Sequence, residues 1–270
     1  MANFKTSIKT ILLFVIASLN LNAKAWVINQ GDLDQWLQSL SPKSSVYAEL
    51  EKFYTDQGID IHNPEVQNHI QIFVQKNHQL FLSKVDQILK NSNQPNLKCH
   101  SDSVIDFLDR FTNLKIGDEF ESEALRIETM DCLGKINHHK VFTILMSDEF
   151  QKKSITGLQD VTSDQSTNLI CQKTSIFPLG KSNYCFTQNI WQDATTYVIQ
   201  SFNESNHSSA SSPVYFREVF TVIKKMTNGE VFIYNLAIGR GPDLPFHSIV
   251  KATARNQQQS MIQSLIEYSK

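Results

Sequence analysis

The sequence predicts an α+β protein with a helical N-terminal region, a run of antiparallel strands and one long C-terminal helix. Three observations lead to this fold class. Residues 26–112 carry apolar side chains mostly at helical spacing. Residues 214–238 form two β-branched and aromatic runs around an Asn-Gly turn signal. Residues 246–268 return to a single apolar stripe at helical spacing, which indicates a helix that packs on a sheet.

The composition is that of an ordinary globular protein. The chain has 270 residues, 41% of them hydrophobic, and a mean hydropathy of -0.27. Three of its 25 basic residues and none of its 27 acidic residues precede Trp26, so 22 basic and 27 acidic residues follow, a net charge of -5. A mildly acidic chain without a basic run does not suit the phosphate backbone, and we expect no nucleic-acid partner.

The first 25 residues have the pattern of a secretory signal. Lys5 and Lys9 precede an apolar run at residues 11–21, and Ala23-Lys24-Ala25 provides a small-x-small cleavage site. The apolar run is short for a membrane span, although an uncleaved anchor is the alternative. We therefore predict an exported protein, periplasmic or extracellular, with no transmembrane segment after signal removal.

Because exported proteins fold in an oxidising compartment, we expect the four cysteines to form disulfides. Cys171 and Cys185 flank a predicted turn at residues 177–180 and would bridge adjacent strands, which leaves Cys99 for Cys132. The other pairings, and free buried thiols, stay open at this point. No CxxC spacing occurs, so a zinc site is not expected.

The N-terminal region is predicted to consist of four helices. They cover residues 32–40, 45–55, 64–90 (with Asn63 as N-cap and Pro64 in the first turn) and 101–111, the last carrying Val104, Ile105, Leu108 and Phe111. These helices either cover the sheet or bind a protein partner, and packing on the sheet is the simpler interpretation.

From residue 119 the apolar period changes. The pattern predicts a strand at residues 124–136, helices at 140–150 and up to 157, and strands at 169–177, 184–191 and 195–202. In the closing hairpin, a three-residue loop with Gly229 at positive φ pairs even-numbered residues with even-numbered ones. One face then carries Val214, Phe216, Glu218, Phe220 and Val222 beside Phe232, Tyr234, Leu236 and Ile238.

Two stretches of this half resemble the START/polyketide-cyclase-like (Bet v 1-type) superfamily. Residues 139–150 with Ile155-Thr156-Gly157-Leu158 are similar to its opening helix pair, and residues 241–245 resemble the turn before its last helix. The resemblance implies a helix-grip fold, in which a curved antiparallel sheet wraps a long C-terminal helix around an apolar cavity for lipids, sterols or polyketides. The predicted domains are then a signal at 1–25, a helical region at 26–112 and a helix-grip domain at 119–270.

The predicted ligand-binding residues come from the apolar face of the hairpin and from the helix stripe. They are Phe216, Glu218, Phe220, Tyr234, Leu236, Phe246, Val250, Gln257, Met261 and Leu265. The apolar members would supply affinity, whereas Glu218, Tyr234 and Gln257 would orient the ligand. A secreted interaction or effector protein with a filled core is the alternative, because periodicity does not separate a cavity from a core.

Glu218 is the one carboxylate on the apolar face. Burial there would raise its pKa and suit it to general acid–base chemistry, which makes an enzyme on this fold the least favoured hypothesis. Alternatively, Glu218 reaches water at a strand end or pairs with a basic residue. We assign no catalytic residue.

The eight histidines and the short motifs give no metal or cofactor site. His138 and His139 are adjacent and are expected to point apart, and no other pair has helical i, i+4 spacing. The chain has no G-x-S-x-G, H-E-x-x-H or P-loop sequence. We predict no cofactor.

Overall fold

The computed structural model describes residues 25–40, 44–56, 58–91, 104–108, 122–155, 157–176, 180–204, 216–242 and 247–270. The predicted signal sequence up to residue 24, and with it the predicted cleavage site, lies outside these ranges. So do Cys99 and Phe246. Within the described helices, none is both long and apolar enough to cross a membrane.

The centre of the described structure is a curved, almost wholly antiparallel sheet of nine strands. Its order is β2-β3-β9-β8-β7-β6-β5-β4, and β1 runs parallel to β6 at Ile190 and Trp191, beyond the residues that pair with β5. The strands are β1 Ile28–Asn29, β2 Val104–Leu108, β3 Ser122–Cys132, β4 Leu158–Asp164, β5 Leu169–Ile176, β6 Gly180–Gln192, β7 Thr196–Glu204, β8 Phe216–Lys225 and β9 Val231–Pro242. The predicted α+β class is confirmed.

The closing hairpin has the predicted register. Phe220 pairs with Leu236 and Val222 with Tyr234, so even-numbered residues stand opposite even-numbered ones. The loop is Thr227-Asn228-Gly229, closed by a hydrogen bond from the Met226 amide to the Glu230 carbonyl, and Gly229 has a φ of +84°. A residue with a Cβ is disfavoured at that φ, which is why glycine follows asparagine here.

Six helices occur in the described ranges: α1 Leu33–Ser39, α2 Ser44–Asp56, α3 Pro64–Asn91, α4 His138–Leu145, α5 Asp148–Ser154 and α6 His247–Ser269. Their starts follow side-chain capping. The Asp32 carboxylate accepts from the Gln35 amide, and the Asn137 and Ser147 side chains cap α4 and α5. Ser147 therefore divides the helix predicted at residues 140–150 into two.

The sheet carries an apolar core on each face. On the first, which we call the α3 face, α1, α2 and α3 pack on Trp191, Val198, Phe202, Phe220, Val222, Phe232, Tyr234 and Leu236. On the second, the α6 face, α4, α5 and α6 pack on Val161, Ile170, Ile190, Tyr197, Ile199, Ile223, Val231 and Ile233. The N-terminal helices are thus a cover over the sheet, and a protein partner for them stays a prediction.

The helix predicted at residues 101–111 is wrong where the structure describes it. Val104–Leu108 forms β2 and pairs antiparallel with β3. A five-residue apolar run fits either a short strand or a helix segment, and pairing with β3 decides between them. The predictions also missed β4, whose polar LQDVTSD sequence alternates only weakly. The boundary predicted between residues 112 and 119 stays a prediction.

One predicted disulfide lies within the described residues. Cys171 and Cys185 stand directly opposite each other on β5 and β6 and are bonded, with Cα atoms 4.0 Å apart. Cys132 is also disulfide-bonded. Its predicted partner, Cys99, lies outside the described residues.

Candidate functional site

The structure places the predicted ligand-binding face of the hairpin beneath α3. Phe220, Tyr234 and Leu236 do share one face with Glu218, as predicted, but α3 covers that face and α6 does not. Phe220 is fully buried, and its ring centroid lies 5.1 Å from that of Phe81 in α3. These residues therefore fill a core beneath the N-terminal helices. In the described part of the chain, the sheet itself lies between these residues and α6.

Glu218 is buried at the centre of the α3 face, with a side chain that is 2% exposed. Its Oε1 atom lies 3.3 Å from Nδ1 of His78 in α3 and accepts a hydrogen bond of 2.9 Å from Nε2 of Gln200. The other ring nitrogen of His78 lies 2.9 Å from the carbonyl oxygen of Leu40. Of the alternatives for Glu218, pairing with a basic residue is the one the structure shows.

The His78–Glu218 pair needs a shared proton. If Nε2 of His78 donates to the Leu40 carbonyl, a neutral ring turns the lone pair of Nδ1 toward the Glu218 carboxylate. Protonation of the ring converts that repulsion into a hydrogen bond. Burial alone lowers the pKa of His78, but the hydrogen bond and charge of Glu218, with the Leu40 carbonyl, outweigh it and raise this pKa above 6.5.

This pKa predicts a loss of stability on the alkaline side. Because the folded state keeps a proton that the unfolded chain loses near pH 6.5, the stabilisation is complete below that pH and falls as the pH rises through the folded value. We expect the free energy of unfolding, measured in urea at several pH values, to fall over that window. His78→Gln should flatten the profile, whereas His62→Gln, at an exposed histidine, should not. Identical slopes for His78→Gln and wild type would contradict the linkage.

Two predicted site residues do lie on the α6 face. Leu265 is fully buried in its core, and Met261 is partly buried and lines a pocket there. The side chains of Phe216, Val250 and Gln257, like the whole of Phe246, lie outside the described part of the structure. Ligand binding by any predicted residue stays a prediction.

The pocket on the α6 face lies between the helices and β5 to β8. Its volume is about 110 Å³ and it is partly open to solvent. The described helical wall consists of Leu145, Met146, Phe150, Gln151, Ser154, Ile155 and Met261. The described sheet wall consists of Gln172, Phe186, Gln188, Ile199, Ser201, Val219 and Thr221. The turn at Ser147 places α5 across the sheet and so forms one side of the pocket.

Polar groups of the pocket pair mostly with one another. The Gln172 amide donates to Oε1 of Gln151 at 2.8 Å, and the Gln188 amide donates to Oγ of Ser201 at 3.2 Å. The Ser154 hydroxyl donates to the Phe150 carbonyl within α5. Gln188 differs from the rest because its Oε1 is buried without a hydrogen-bond partner among the described residues. Such a wall can bind an apolar body and one or two polar groups.

The sequence-based prediction did not include the residues of the sheet wall. It assigned the more apolar face of the hairpin to the ligand, whereas the pocket uses the other face, where Val219 and Thr221 alternate with the residues of the α3 face. The available signal was polar residues interrupting apolar strands, such as Gln188 before Ile190 and Ser201 after Ile199.

The histidine pair forms part of a structural cluster. His138 and His139 do not point apart, because both rings pack around Tyr197 with their centroids 4.1 Å from each other. Nδ1 of His139 lies 2.5 Å from the Tyr197 hydroxyl oxygen, and burial lowers the pKa of His138. The described residues include no group of three or more His, Cys, Asp or Glu side chains that could hold a metal ion.

No protein-family model and no curated protein matches this chain. Solved structures are similar to it. Human StAR-related lipid transfer protein 5 has 8% identity and a TM-score of 0.44, covering 71% of this chain and 95% of its own. Human STARD10 has 9% sequence identity and a TM-score of 0.43, and the match covers 67% of this chain and 78% of STARD10. A START superfamily protein from Mycobacterium smegmatis has 9% sequence identity and a TM-score of 0.38, and the match covers 55% of this chain and 96% of that protein.

At such identities the likeness concerns the fold alone. The strand order and helix placement of this chain give the same result independently. An antiparallel sheet, a helix pair between β3 and β4, and a long last helix that contacts β2, β3, α4 and α5 make up the START-like, helix-grip fold that the resemblance implies.

Proposed function

We propose that this protein is exported and binds a hydrophobic or amphipathic small molecule in the pocket on the α6 face. The observation that carries the proposal is the pocket itself, which has apolar walls from α4, α5 and α6 and lies beside the last helix, where the helix-grip resemblance implies an apolar cavity.

The volume limits the size of the bound group. A cavity of about 150 Å³ lined by apolar side chains accommodates benzene, whereas pockets for drug-sized ligands span about 300–1,000 Å³. The pocket is smaller than either, at about 110 Å³, and is open on one side, so it suits a group no larger than a single ring or a short length of acyl chain, part of which reaches solvent. Because one side is open, a larger ligand would extend out of the pocket into solvent.

Export is supported by the signal-like pattern before Trp26 and by the Cys171–Cys185 disulfide, since disulfides persist in oxidising compartments. The hypothesis of an enzyme rests on Glu218 as a general acid or base, and the position of Glu218 does not favour it. Glu218 pairs with His78 on the opposite face of the sheet and does not reach a ligand in the pocket.

A pair of matched substitutions on one strand tests the proposal. Val219 lines the pocket, whereas Val222, on the other face of β8, is fully buried in the α3-face core. We expect Val219→Phe to fill the pocket and abolish toluene binding, measured by NMR titration of residues 26–270, with little loss of stability. Val222→Phe should keep toluene binding but lower the free energy of unfolding by about 1–3 kcal/mol through overpacking.

The opposite pattern would overturn the proposal. If toluene does not bind the wild-type protein, or binds Val219→Phe equally well, the pocket is not a hydrophobic binding site. The alternative, an interaction or effector protein with a filled core, is then favoured.

A further inference from the structure

The two faces of the sheet differ in polarity at its centre. The α3 face is mostly apolar across β6 to β9. Its polar side chains include the paired cluster around Glu218 and Lys224, whose Nζ donates to the Leu89 carbonyl of α3 at 3.4 Å. The α6 face instead carries two polar cross-strand pairs, which we call the polar stripe: Gln188 on β6 stands opposite Ser201 on β7, and Thr221 on β8 stands opposite Asn235 on β9. Between β7 and β8 the stripe is interrupted, because Ser201 stands opposite Val219 and Thr221 opposite Ile199. Asn235 donates to Oγ1 of Thr221 at 2.8 Å, and Thr129 on β3 extends the stripe beside it.

Placing hydroxyl and amide side chains here has a cost, since a buried polar group must find a hydrogen-bond partner. Gln188, Ser201 and Thr221 all line the pocket. Oε1 of Gln188 is the clearest case, because it is desolvated and accepts no hydrogen bond within the described residues. Turning this acceptor into the pocket requires rotation about the last side-chain torsion of Gln188, which is soft, and breaks the hydrogen bond of the same amide to Ser201.

The charge state of the stripe narrows the ligand class. Every polar side chain in the described lining is an uncharged amide or hydroxyl: Gln151, Ser154, Gln172, Gln188, Ser201 and Thr221. A carboxylate or phosphate brought into a partly desolvated site is best stabilised by a cationic partner, whereas amides and hydroxyls match a neutral group.

We infer that the pocket selects an uncharged amphipathic ligand whose hydroxyl group donates to Gln188 beside Ser201 while its apolar part contacts the helical wall. This inference rests on the function proposed above and adds the ligand's polarity to it. Gln188 is the specificity-determining residue, because a site with an unpaired buried acceptor discriminates against analogues that lack the donor.

Three probes of one ring size test the inference: toluene, benzyl alcohol and benzoate, titrated by NMR into residues 26–270. Gln188→Met keeps the length of the side chain and removes its amide. We expect this variant to bind benzyl alcohol about tenfold more weakly than wild type, the loss of about one hydrogen bond, and to bind toluene at least as well. Benzoate should bind the wild type more weakly than benzyl alcohol. Gln159→Met, at an exposed position on β4, is the matched control.

The outcomes separate this inference from the function on which it rests. If toluene and benzyl alcohol both bind but Gln188→Met weakens them equally, or if benzoate binds best, the neutral-ligand selection is wrong and the hydrophobic site stands. If none of the probes binds the wild type, both fail. If Gln188→Met does not fold, Gln188→Leu serves as the second variant, with the same selective loss of benzyl alcohol affinity expected and no selective loss overturning the inference.

Discussion

Phe220→Ala is expected to lower the free energy of unfolding by about 3–5 kcal/mol and to leave toluene binding unchanged. Phe220 has no exposed surface and packs on Phe81 of α3, so its removal loses both transfer free energy and ring contact and leaves a cavity at the helix–sheet interface. Urea unfolding gives the stability, and an NMR titration of the folded variant gives the binding.

Phe186→Ala is the matched control, since Phe186 is partly exposed and lines the pocket. It should cost less stability than Phe220→Ala and should change toluene affinity. If Phe220→Ala instead left stability intact and abolished toluene binding, the ligand would lie under α1 to α3, and the face assigned here to the pocket would be wrong.

Glu218→Ala is expected to destabilise the protein by about 3–5 kcal/mol. The substitution leaves His78 and Gln200 buried with donors that have lost their acceptor, and removing one member of a buried pair costs far more than the intact pair contributes. Unfolding in urea at pH 6, where the pair holds its proton, is the measurement that shows the full effect.

The double variant His78→Leu with Glu218→Leu separates pairing from packing. Since a buried ion pair replaced by apolar residues of similar volume is often neutral in stability, the double variant should be clearly more stable than Glu218→Ala. If Glu218→Ala has the same urea unfolding midpoint as the wild type, the His78–Glu218 contact does not contribute to the packing of α3 on the sheet.

The sequence predicted local elements well because their signals are local. Gly229 needs positive φ and thereby sets the loop length of the hairpin and its register. Asp32 and Asn63 mark helix starts, and Cys171 and Cys185 flank their turn at opposite positions on paired strands. None of these features depends on distant parts of the chain.

The sequence did not predict which helices pack on which face of the sheet. Alternation shows that Phe220 and Tyr234 share a face, but it does not show which helix lies on that face. Both α3 and α6 carry an apolar stripe suited to a sheet. The ligand was predicted on the more apolar face, although such a face more often forms a tightly packed core. The pocket instead lies where the polar residues Gln188 and Ser201 interrupt the apolar strands.

The methyl groups of methionine provide the most direct test of where a ligand binds. Of the five methionines, Met146 and Met261 line the pocket, whereas Met130 and Met226 pack in the α3-face core. In residues 26–270 labelled with [methyl-13C]methionine, benzyl alcohol should shift the signals of Met146 and Met261 in a saturable manner and leave those of Met130 and Met226 in place. Shifts confined to Met130 and Met226, or no saturable shift at all, would contradict a ligand site between α6 and the sheet.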